Sequence, residues 1–339
     1  MATQIFIGGT GRSGTSILYD LLRSHKEIHA FKLEMRFIID HNGLINLLDA
    51  LTKNYSIDQS REALYYFEEL MSKHLTNPYA PPYIGFEFDK IFSEEFYWKR
   101  LKLFLDELTL GSFYGADYSV SGNLLESKLS FLIRQIERLY NFYYRKVLNQ
   151  NNKLLWPHRE LKIVKFFDDR KQLCLMAENF VNDLFMNSAH KENKSIWCEK
   201  TPLNVLHLDF LYEVFPNNHF IHIKRDPRGV LQSMQNQFWA PKKTEDLCLF
   251  MKQIYAKWFS VKEKIDFNKY NYLEIKLEDL AGNRYTVNEI QEFLDIDNSF
   301  INPPKLTLEK AEYWKKSMSK ADVDIVNRML HDEIEQMDY

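Results

Sequence analysis

Apolar residues along this chain occur in two patterns that predict different elements. Four short segments are apolar almost without interruption, which is typical of strands covered on both faces. Longer segments between them repeat apolar residues with the period of a helix. The predicted strands are residues 4–8, 196–199, 218–224 and 272–277. Because strands that alternate with helices form parallel sheets, the sequence predicts an α/β fold.

A long helical stretch interrupts this alternation. Between residues 42 and 193 the pattern is helical, carries clusters of aromatic side chains and contains no predicted strand. We expect one domain over residues 1–339, in which residues 42–193 form a helical, aromatic-rich insertion that shapes an acceptor site. Aromatic residues at helical spacing are also consistent with plain core packing. The predicted helices cover residues 15–24, 60–74, 93–108, 124–149, 171–187, 204–215, 228–238, 244–264, 287–294 and 320–337.

Charge and composition narrow the possible classes of protein. The 44 lysines and arginines nearly balance the 47 acidic residues, so no nucleic-acid partner is expected. No segment offers the about 20 apolar residues of a membrane span, and the start of the chain does not resemble a signal peptide. The three cysteines are widely spaced and form neither a metal clip nor an even-numbered disulfide framework. We therefore expect a cytoplasmic protein in a reducing compartment.

The segment GGTGRSGTS, residues 8–16, predicts an anion-binding loop between a strand and a helix. Glycines allow backbone N–H groups to turn toward one point, and the helix dipole adds positive charge there. The glycine spacing is that of a Walker A loop, but Thr15 stands immediately before Ser16 where a kinase or ATPase carries lysine. Arg12 supplies a cation within the loop instead, with a planar fork suited to oxyanions.

A second candidate anion site lies about 200 residues later in the sequence. Arg225 follows the strand predicted at 218–224, and Ser233 lies two turns into the helix that Pro227 begins. Ligands of open α/β sheets bind at this carboxyl edge, so the two residues can bind a second phosphate. Taken alone, Arg225 could equally be a surface residue paired with Asp226.

Four motifs together resemble one enzyme family. They are the GTGRSGTS loop, WCEKTP at 197–202, RDPRGVLQS at 225–233 and LEDL at 277–280, and they occur in the family's order. The chain resembles the sulfotransferases that use 3′-phosphoadenosine 5′-phosphosulfate (PAPS), especially the branch shared by bacterial enzymes and tyrosylprotein sulfotransferases. The resemblance implies a P-loop-type parallel sheet flanked by helices. It also implies transfer of a sulfuryl group to a hydroxyl acceptor, which can be a sugar, a phenol or tyrosine, or another alcohol.

The resemblance also implies which residues bind the donor. Arg225 and Ser233 match the pair that holds the 3′-phosphate, and Lys315 with Lys316 is the best match to the family's C-terminal cofactor loop. Leu277 stands where many relatives have tyrosine. The residues that match the 5′-phosphosulfate loop are Gly11, Arg12, Ser13, Gly14, Thr15 and Ser16.

Catalytic roles follow from the resemblance in the same way. Lys200 is implied to contact the reacting sulfuryl group, together with Arg12. Glu34, in KLEMRF, resembles the carboxylate that removes the acceptor proton, and Arg36 matches the arginine of that segment. A carboxylate within ~3 Å of the acceptor oxygen can act as this base. Other candidates for the base are His29, His41, Glu87 and Asp89.

Two other functions remain open at this stage. A P-loop kinase or nucleotide hydrolase without the Walker lysine would cradle phosphates in the same loop, and a non-catalytic module could bind an adenosine nucleotide there. The sequence shows no H-E-x-x-H motif and no His/Cys cluster. We therefore expect sulfuryl transfer without a metal.

Overall fold

A computed structural model describes the protein. It describes residues 3–76, 91–116, 158–282, 284–301 and 306–339, together with positions 88, 132, 135, 136, 138–140, 142, 143, 303 and 304. Its strands, in chain order, are β1 (Gln4–Gly8), β2 (Ile28–Ala30), β3 (Thr109–Ala116), β4 (His158–Val164), β5 (Ile196–Lys200), β6 (His219–Lys224) and β7 (Asn271–Lys276).

A parallel sheet of five strands lies at the centre of the described structure, in the order β2-β5-β1-β6-β7. Every residue of β1 is buried, since helices cover both faces of the sheet. Phe6 points to one face and packs edge-on against Trp197 at 5.3 Å between ring centroids. Ile5 and Ile7 point to the other face. The predicted parallel α/β fold is therefore confirmed, and the four predicted strands are β1, β5, β6 and β7.

Helices of very different length surround this sheet. The helix after β1 begins at Thr15, as predicted, and the one after β6 begins at Pro227. The α-helices of the described residues are α1 (Thr15–Arg23), α2 (Leu44–Leu51), α3 (Ile57–Thr76), α4 (Glu94–Glu107), α5 (Arg170–Lys191), α6 (Leu208–Val214), α7 (Pro227–Gln235), α8 (Thr244–Lys262), α9 (Leu277–Gly282), α10 (Arg284–Leu294), α11 (Leu308–Ala311), α12 (Trp314–Ser317), α13 (Lys320–Met329) and α14 (His331–Gln336). No helix in these ranges is long and apolar enough to cross a membrane.

The expectation that residues 42–193 contain no strand is wrong. Strands β3 and β4 pair antiparallel, with Phe113 opposite Leu161. Leu161 is buried whereas Leu110 is 71% exposed, so the apolar residues of this antiparallel pair do not form the continuous buried run that marks the central strands. The helix predicted at 124–149 falls largely outside the described residues.

Short elements account for other differences from the predicted pattern. Strand β2 has three residues and lies at the edge of the sheet, where it pairs with β5. Helix α2 was not predicted, although its leucines are buried. The predicted helix at 204–215 is a 3₁₀ helix, Pro202–His207, followed by α6. Such short segments contain too few residues for a periodic pattern of apolar positions to be recognised.

Many aromatic side chains of the predicted insertion belong to the hydrophobic core. Phe88, Phe92 and Phe185 are buried there, together with Phe31 and Phe37 from the segment that precedes the insertion. Phe31 and Phe185 lie 4.5 Å apart between ring centroids, and Phe88 packs edge-on against Phe92. These described rings therefore serve core packing. The role of the insertion in an acceptor site stays a prediction.

Candidate functional site

The glycine loop lies at the carboxyl end of β1, in the middle of the sheet. Gly11, Arg12 and Gly14 all have positive φ angles, of 83°, 54° and 106°. A left-handed backbone favours glycine, which explains the residue type at two of these positions. Gly14 directly precedes α1, and the first turn of a helix presents N–H groups without intrahelical partners. The loop therefore has the geometry of an anion-binding site.

Side chains within the loop point in different directions. Ser13 and Thr15 are buried, whereas Ser16 and Arg12 are exposed. A Cβ atom on Gly14 would lie 2.6 Å from a methyl carbon of Leu277, so the leucine packs directly under the loop. The apolar side chain of Leu277 therefore belongs to the packing beneath the loop.

Arg12 and Ser233 meet on one side of the loop. The Arg12 Nε donates a hydrogen bond of 3.0 Å to the Ser233 hydroxyl. Arg225 Nη1 donates to the Arg12 carbonyl oxygen at 3.3 Å, and Nη2 donates to the carbonyl oxygen of Ala311 at 2.8 Å. The structure thus brings the predicted 3′-phosphate pair together with the arginine of the glycine loop.

Arg225 is held in a confined position beside α7. The residue is 8% exposed, and burial lowers the pKa of its guanidinium, with the nearby Arg12 adding to the effect. A Cβ atom on Gly229 would lie 2.8 Å from Arg225 Nε, so glycine leaves the room that the guanidinium occupies. A buried cation of this kind is a strong binding group for a phosphate, because water screens it little.

Several buried polar atoms at the loop have no hydrogen-bond partner among the described residues. They include the Ser13 hydroxyl and the Arg225 Nε. Buried donors are almost always satisfied in folded proteins, and an unsatisfied one calls for a ligand or a water. Both atoms belong to residues that the sequence assigns to the donor site. The donor set therefore fits a phosphate-bearing group, although Arg225 already uses two of its nitrogens internally.

Lys200 and Glu34 meet on the other side of the loop. Lys200 ends β5 and pairs in register with Ile7 of β1, immediately before the loop. Its Nζ lies 3.4 Å from Glu34 Oε1. The Glu34 side chain is 26% exposed and the Lys200 side chain 11%, so the pair lies at the edge between protein and solvent. A substrate hydroxyl can reach a carboxylate in this position.

Sequence reasoning missed the buried carboxylate next to this pair. Glu199 is 1% exposed, and its Oε1 accepts hydrogen bonds from the Met35 amide at 3.0 Å and the Thr201 hydroxyl at 2.5 Å. Oε2 accepts from Asn204 Nδ2 at 2.6 Å. Burial raises the pKa of Glu199 to about 7, and the hydrogen bonds oppose that rise. The signal in the sequence was a glutamate inside an otherwise buried strand, a position that normally requires partners.

The remaining predicted site residues have acidic partners of their own. Arg36 Nε forms an ion pair of 2.6 Å with Asp40 Oδ2, which raises the Arg36 pKa although burial acts in the opposite direction. Lys315 pairs with Glu312, also at 2.6 Å. Lys316 pairs in the same way with Glu309 at 2.6 Å, and that hydrogen bond raises its pKa. None of these described contacts joins the three cations to the glycine loop.

Trp314, which precedes the two lysines, is closer to the candidate site. Its ring lies under the Arg228 guanidinium, at 4.7 Å from the ring centroid, and its Cδ1 would lie 3.0 Å from a Cβ atom on Gly229. The tryptophan therefore packs beside the Arg225 side of the site. This position brings the predicted C-terminal cofactor segment next to the predicted 3′-phosphate residues.

The other candidates for the general base are placed less favourably or lie outside the described residues. His29 is buried, with Ser188 Oγ 3.1 Å from its Nε2 and Glu192 Oε2 3.0 Å from its Nδ1. His41 is exposed. Glu87 and Asp89 lie outside the described residues. In the ranges that are described, no group of three or more His, Cys, Asp or Glu side chains could hold a metal ion.

The sequence was compared with family models and with known proteins. A model of the sulfotransferase family matches residues 125–299, just over half of the chain. The protein belongs to the sulfotransferase family. The matched range contains Lys200, Arg225 and Ser233, whereas Arg12 and Glu34 precede it. A search of curated proteins finds no match.

Two sulfotransferases of known structure are similar to this chain. The sulfotransferase domain of the Synechococcus PCC 7002 olefin synthase shares 13% identity over 96% of this chain and 94% of its own, with a TM-score of 0.47. The sulfotransferase STF9 from Mycobacterium avium shares 13% identity over 99% of this chain and 77% of its own, with a TM-score of 0.41. We base the family assignment on the sequence match.

Proposed function

We propose that the protein transfers the sulfuryl group of PAPS to a hydroxyl acceptor. One observation carries this proposal: the Arg225–Ser233 group and the Lys200–Glu34 pair lie on opposite sides of the glycine loop. In the sheet, β1 has β5 on one side and β6 on the other. Lys200 ends β5 and Arg225 follows β6. A donor with a phosphate at one end and a reacting group at the other requires this separation.

The donor site in this proposal has two anion-binding parts. The glycine loop and the start of α1 would hold the 5′-phosphosulfate through Gly11, Ser13 and Thr15 with their neighbours. Arg225 and Ser233 would hold the 3′-phosphate, and the unsatisfied Arg225 Nε supports that role. Lys315 and Lys316 would contribute only after leaving Glu312 and Glu309.

PAPS supplies an activated sulfuryl group, and the chain supplies charge and orientation. Negative charge on the sulfuryl and leaving oxygens is stabilised best by fixed cations close to them. In this proposal Lys200, at the end of β5, would supply one such cation, and Arg12 would add its charge from within the loop. Because Arg12 contacts Ser233, it also links the two anion-binding parts.

Glu34 is the proposed general base. Lys200 contacts its Oε1, which leaves Oε2 to accept the proton of an acceptor hydroxyl. Partial exposure of Glu34 would let the acceptor approach, while the Lys200 side chain is the more buried of the two. Arg36, two residues further, would orient the acceptor if it is released from Asp40.

A comparison of nucleotides tests the donor. Titration calorimetry should give tighter binding of 3′-phosphoadenosine 5′-phosphate (PAP) than of ADP or ATP, because PAP occupies both anion-binding parts. Labelled PAPS should then transfer sulfate to at least one member of a panel with a phenol, a tyrosine peptide, a sugar and an aliphatic alcohol. Hydrolysis of ATP with Mg²⁺ would instead support a kinase or hydrolase, and tight PAP binding with no transfer would support a binding module.

A further inference from the structure

The Glu199 carboxylate touches three parts of the candidate site at once. Its Oε1 accepts the amide of Met35, the residue that follows the proposed base. Thr201, which also donates to Oε1, follows Lys200 in the chain. Asn204 donates to Oε2 and, at 3.4 Å, to the carbonyl oxygen of Ile7 just before the glycine loop.

Hydrogen bonds at its two ends tie the segment of Glu34 to β5. That segment, residues 31–35, follows the short edge strand β2, which has only three residues of sheet pairing. Phe31 N donates to the Cys198 carbonyl oxygen, and Met35 N donates to Glu199, so the segment is attached to β5 at both ends. Glu34 lies between these attachments, at the position that faces Lys200.

The chemistry of the site makes this attachment important. A proton transfer requires the base within hydrogen-bond reach of the acceptor, and a displacement of about 1 Å can cost a hundredfold in rate. Glu34 itself has one long contact of 3.4 Å to Lys200, which is a weak restraint. The geometry at Glu34 therefore depends on the backbone at Met35.

We propose that Glu199 is a positioning residue for sulfuryl transfer, which holds Glu34 against Lys200 by accepting the Met35 amide. This inference rests on the proposed function. Glu199 is buried below the site and does not touch the reacting groups. It acts through Glu34, and its three donors keep it fixed in turn.

Glu199→Leu is the main test, since leucine can accept none of the three hydrogen bonds, whereas the oxygen of a glutamine could still accept the Met35 amide. We expect the rate of transfer from PAPS, on the best acceptor of the panel, to fall roughly 10- to 100-fold, with PAP affinity retained within about threefold. In a Glu34→Gln background the same change should lower the rate less than about threefold, because a residue that acts through Glu34 has nothing left to position. An equal loss in both backgrounds would overturn the proposal.

A second measurement does not depend on activity. Amide hydrogen exchange of residues 33–36 should accelerate at least about tenfold in Glu199→Leu, while β1 and β6 stay protected. Thr201→Val is the matched control, since it removes one donor and leaves the Met35 bond on an intact carboxylate. Unchanged exchange at residues 33–36 in Glu199→Leu refutes the positioning role, even if the wild-type protein transfers sulfate to no acceptor tested. Failure of PAP binding in the wild-type protein would instead count against the proposed function.

Discussion

Arg12 and Ser233 are 221 positions apart in the sequence, yet the Arg12 Nε donates a 3.0 Å hydrogen bond to the Ser233 hydroxyl. The family resemblance implies that Arg12 contacts the 5′-phosphosulfate and Ser233 the 3′-phosphate. In the proposed site, the Arg12 guanidinium would therefore lie where these two regions adjoin. Arg12 is exposed and Arg225 is buried, so the two arginines differ in how freely they can move toward a ligand.

Arg225→Ala should remove most of the preference for PAP over ADP. A hydrogen bond to a charged group contributes about 1.5 to 3 kcal/mol, so the affinity for PAP should fall by that amount while ADP binding changes little. Titration calorimetry with both nucleotides measures the difference. Arg100→Ala is a suitable control, because Arg100 forms an ion pair with Asp183 in the predicted insertion. Equal affinity of the intact protein for PAP and ADP would falsify the assignment.

Gly229→Ala should weaken PAP binding without unfolding the protein. The new methyl group would lie 2.8 Å from Arg225 Nε, so the buried guanidinium must shift. Alanine is the better helix former by about 1 kcal/mol, which offsets part of the strain in α7. Gly282→Ala is the matched control, since no atom lies within 4 Å of its added carbon. If both variants bind PAP like the wild type, Arg225 does not need the space beside Gly229.

Glu34→Gln should keep PAP affinity and lower turnover by roughly 10² to 10⁴, the contribution typical of a general base. The reason is that the carboxylate faces the acceptor side of the site. Lys200→Ala should also slow turnover, by removing charge stabilisation of the leaving group. Initial rates with PAPS and a verified acceptor measure both effects. Near-normal turnover of Glu34→Gln would show that Glu34 is not the base, and His41, Glu87 and Asp89 would be the next candidates.

Transfer should continue after metal removal. Lys200 and Arg12 can neutralise the sulfuryl oxygens, so no cation from solution is required in the proposed mechanism. The test measures sulfate transfer from PAPS after EDTA treatment and dialysis. Activity that disappears and returns only with Mg²⁺ or Mn²⁺ would favour the kinase-like alternative.

Glu199 should make stability depend on pH. Its folded-state pKa of about 7 lies above the ordinary glutamate pKa of 4.5, so the folded protein binds more protons than the unfolded chain between these values. The stabilising contribution is complete below pH 4.5 and is lost as the pH rises through 7. At about 1.4 kcal/mol per pH unit, the shift corresponds to about 3 kcal/mol.

Urea unfolding of the wild type and Glu199→Gln measures this contribution. Relative to the variant, the wild type should lose stability as the pH rises from 4.5 to 8. The nearby Glu34 adds to the rise of the Glu199 pKa, so Glu34→Gln should reduce the slope. Parallel stability curves for the wild type and Glu199→Gln would show that the carboxyl group does not titrate in this window.

The central elements were predictable because their signals are local. Consecutive residues predict a buried strand, then a glycine loop, then a helix. The positive φ angles at Gly11 and Gly14 agree with the glycines in that loop. The strand before Arg225 and the helix after Pro227 follow from the same kind of pattern. Local periodicity and turn chemistry therefore predicted four strands of the central sheet and the position of the loop.

Contacts between distant residues were decided only by the tertiary structure. Neither β3 nor β4 has a continuous apolar run. The two strands pair although Ala116, the last residue of β3, is far in the sequence from His158, the first residue of β4. Glu199 accepts a hydrogen bond from the Met35 amide, which lies 164 positions away in the sequence. The pairing of β2 with β5 brings the two residues together. A side chain's partners depend on which strands become neighbours. That order is set by burial over the whole core, and no short segment of the sequence contains it.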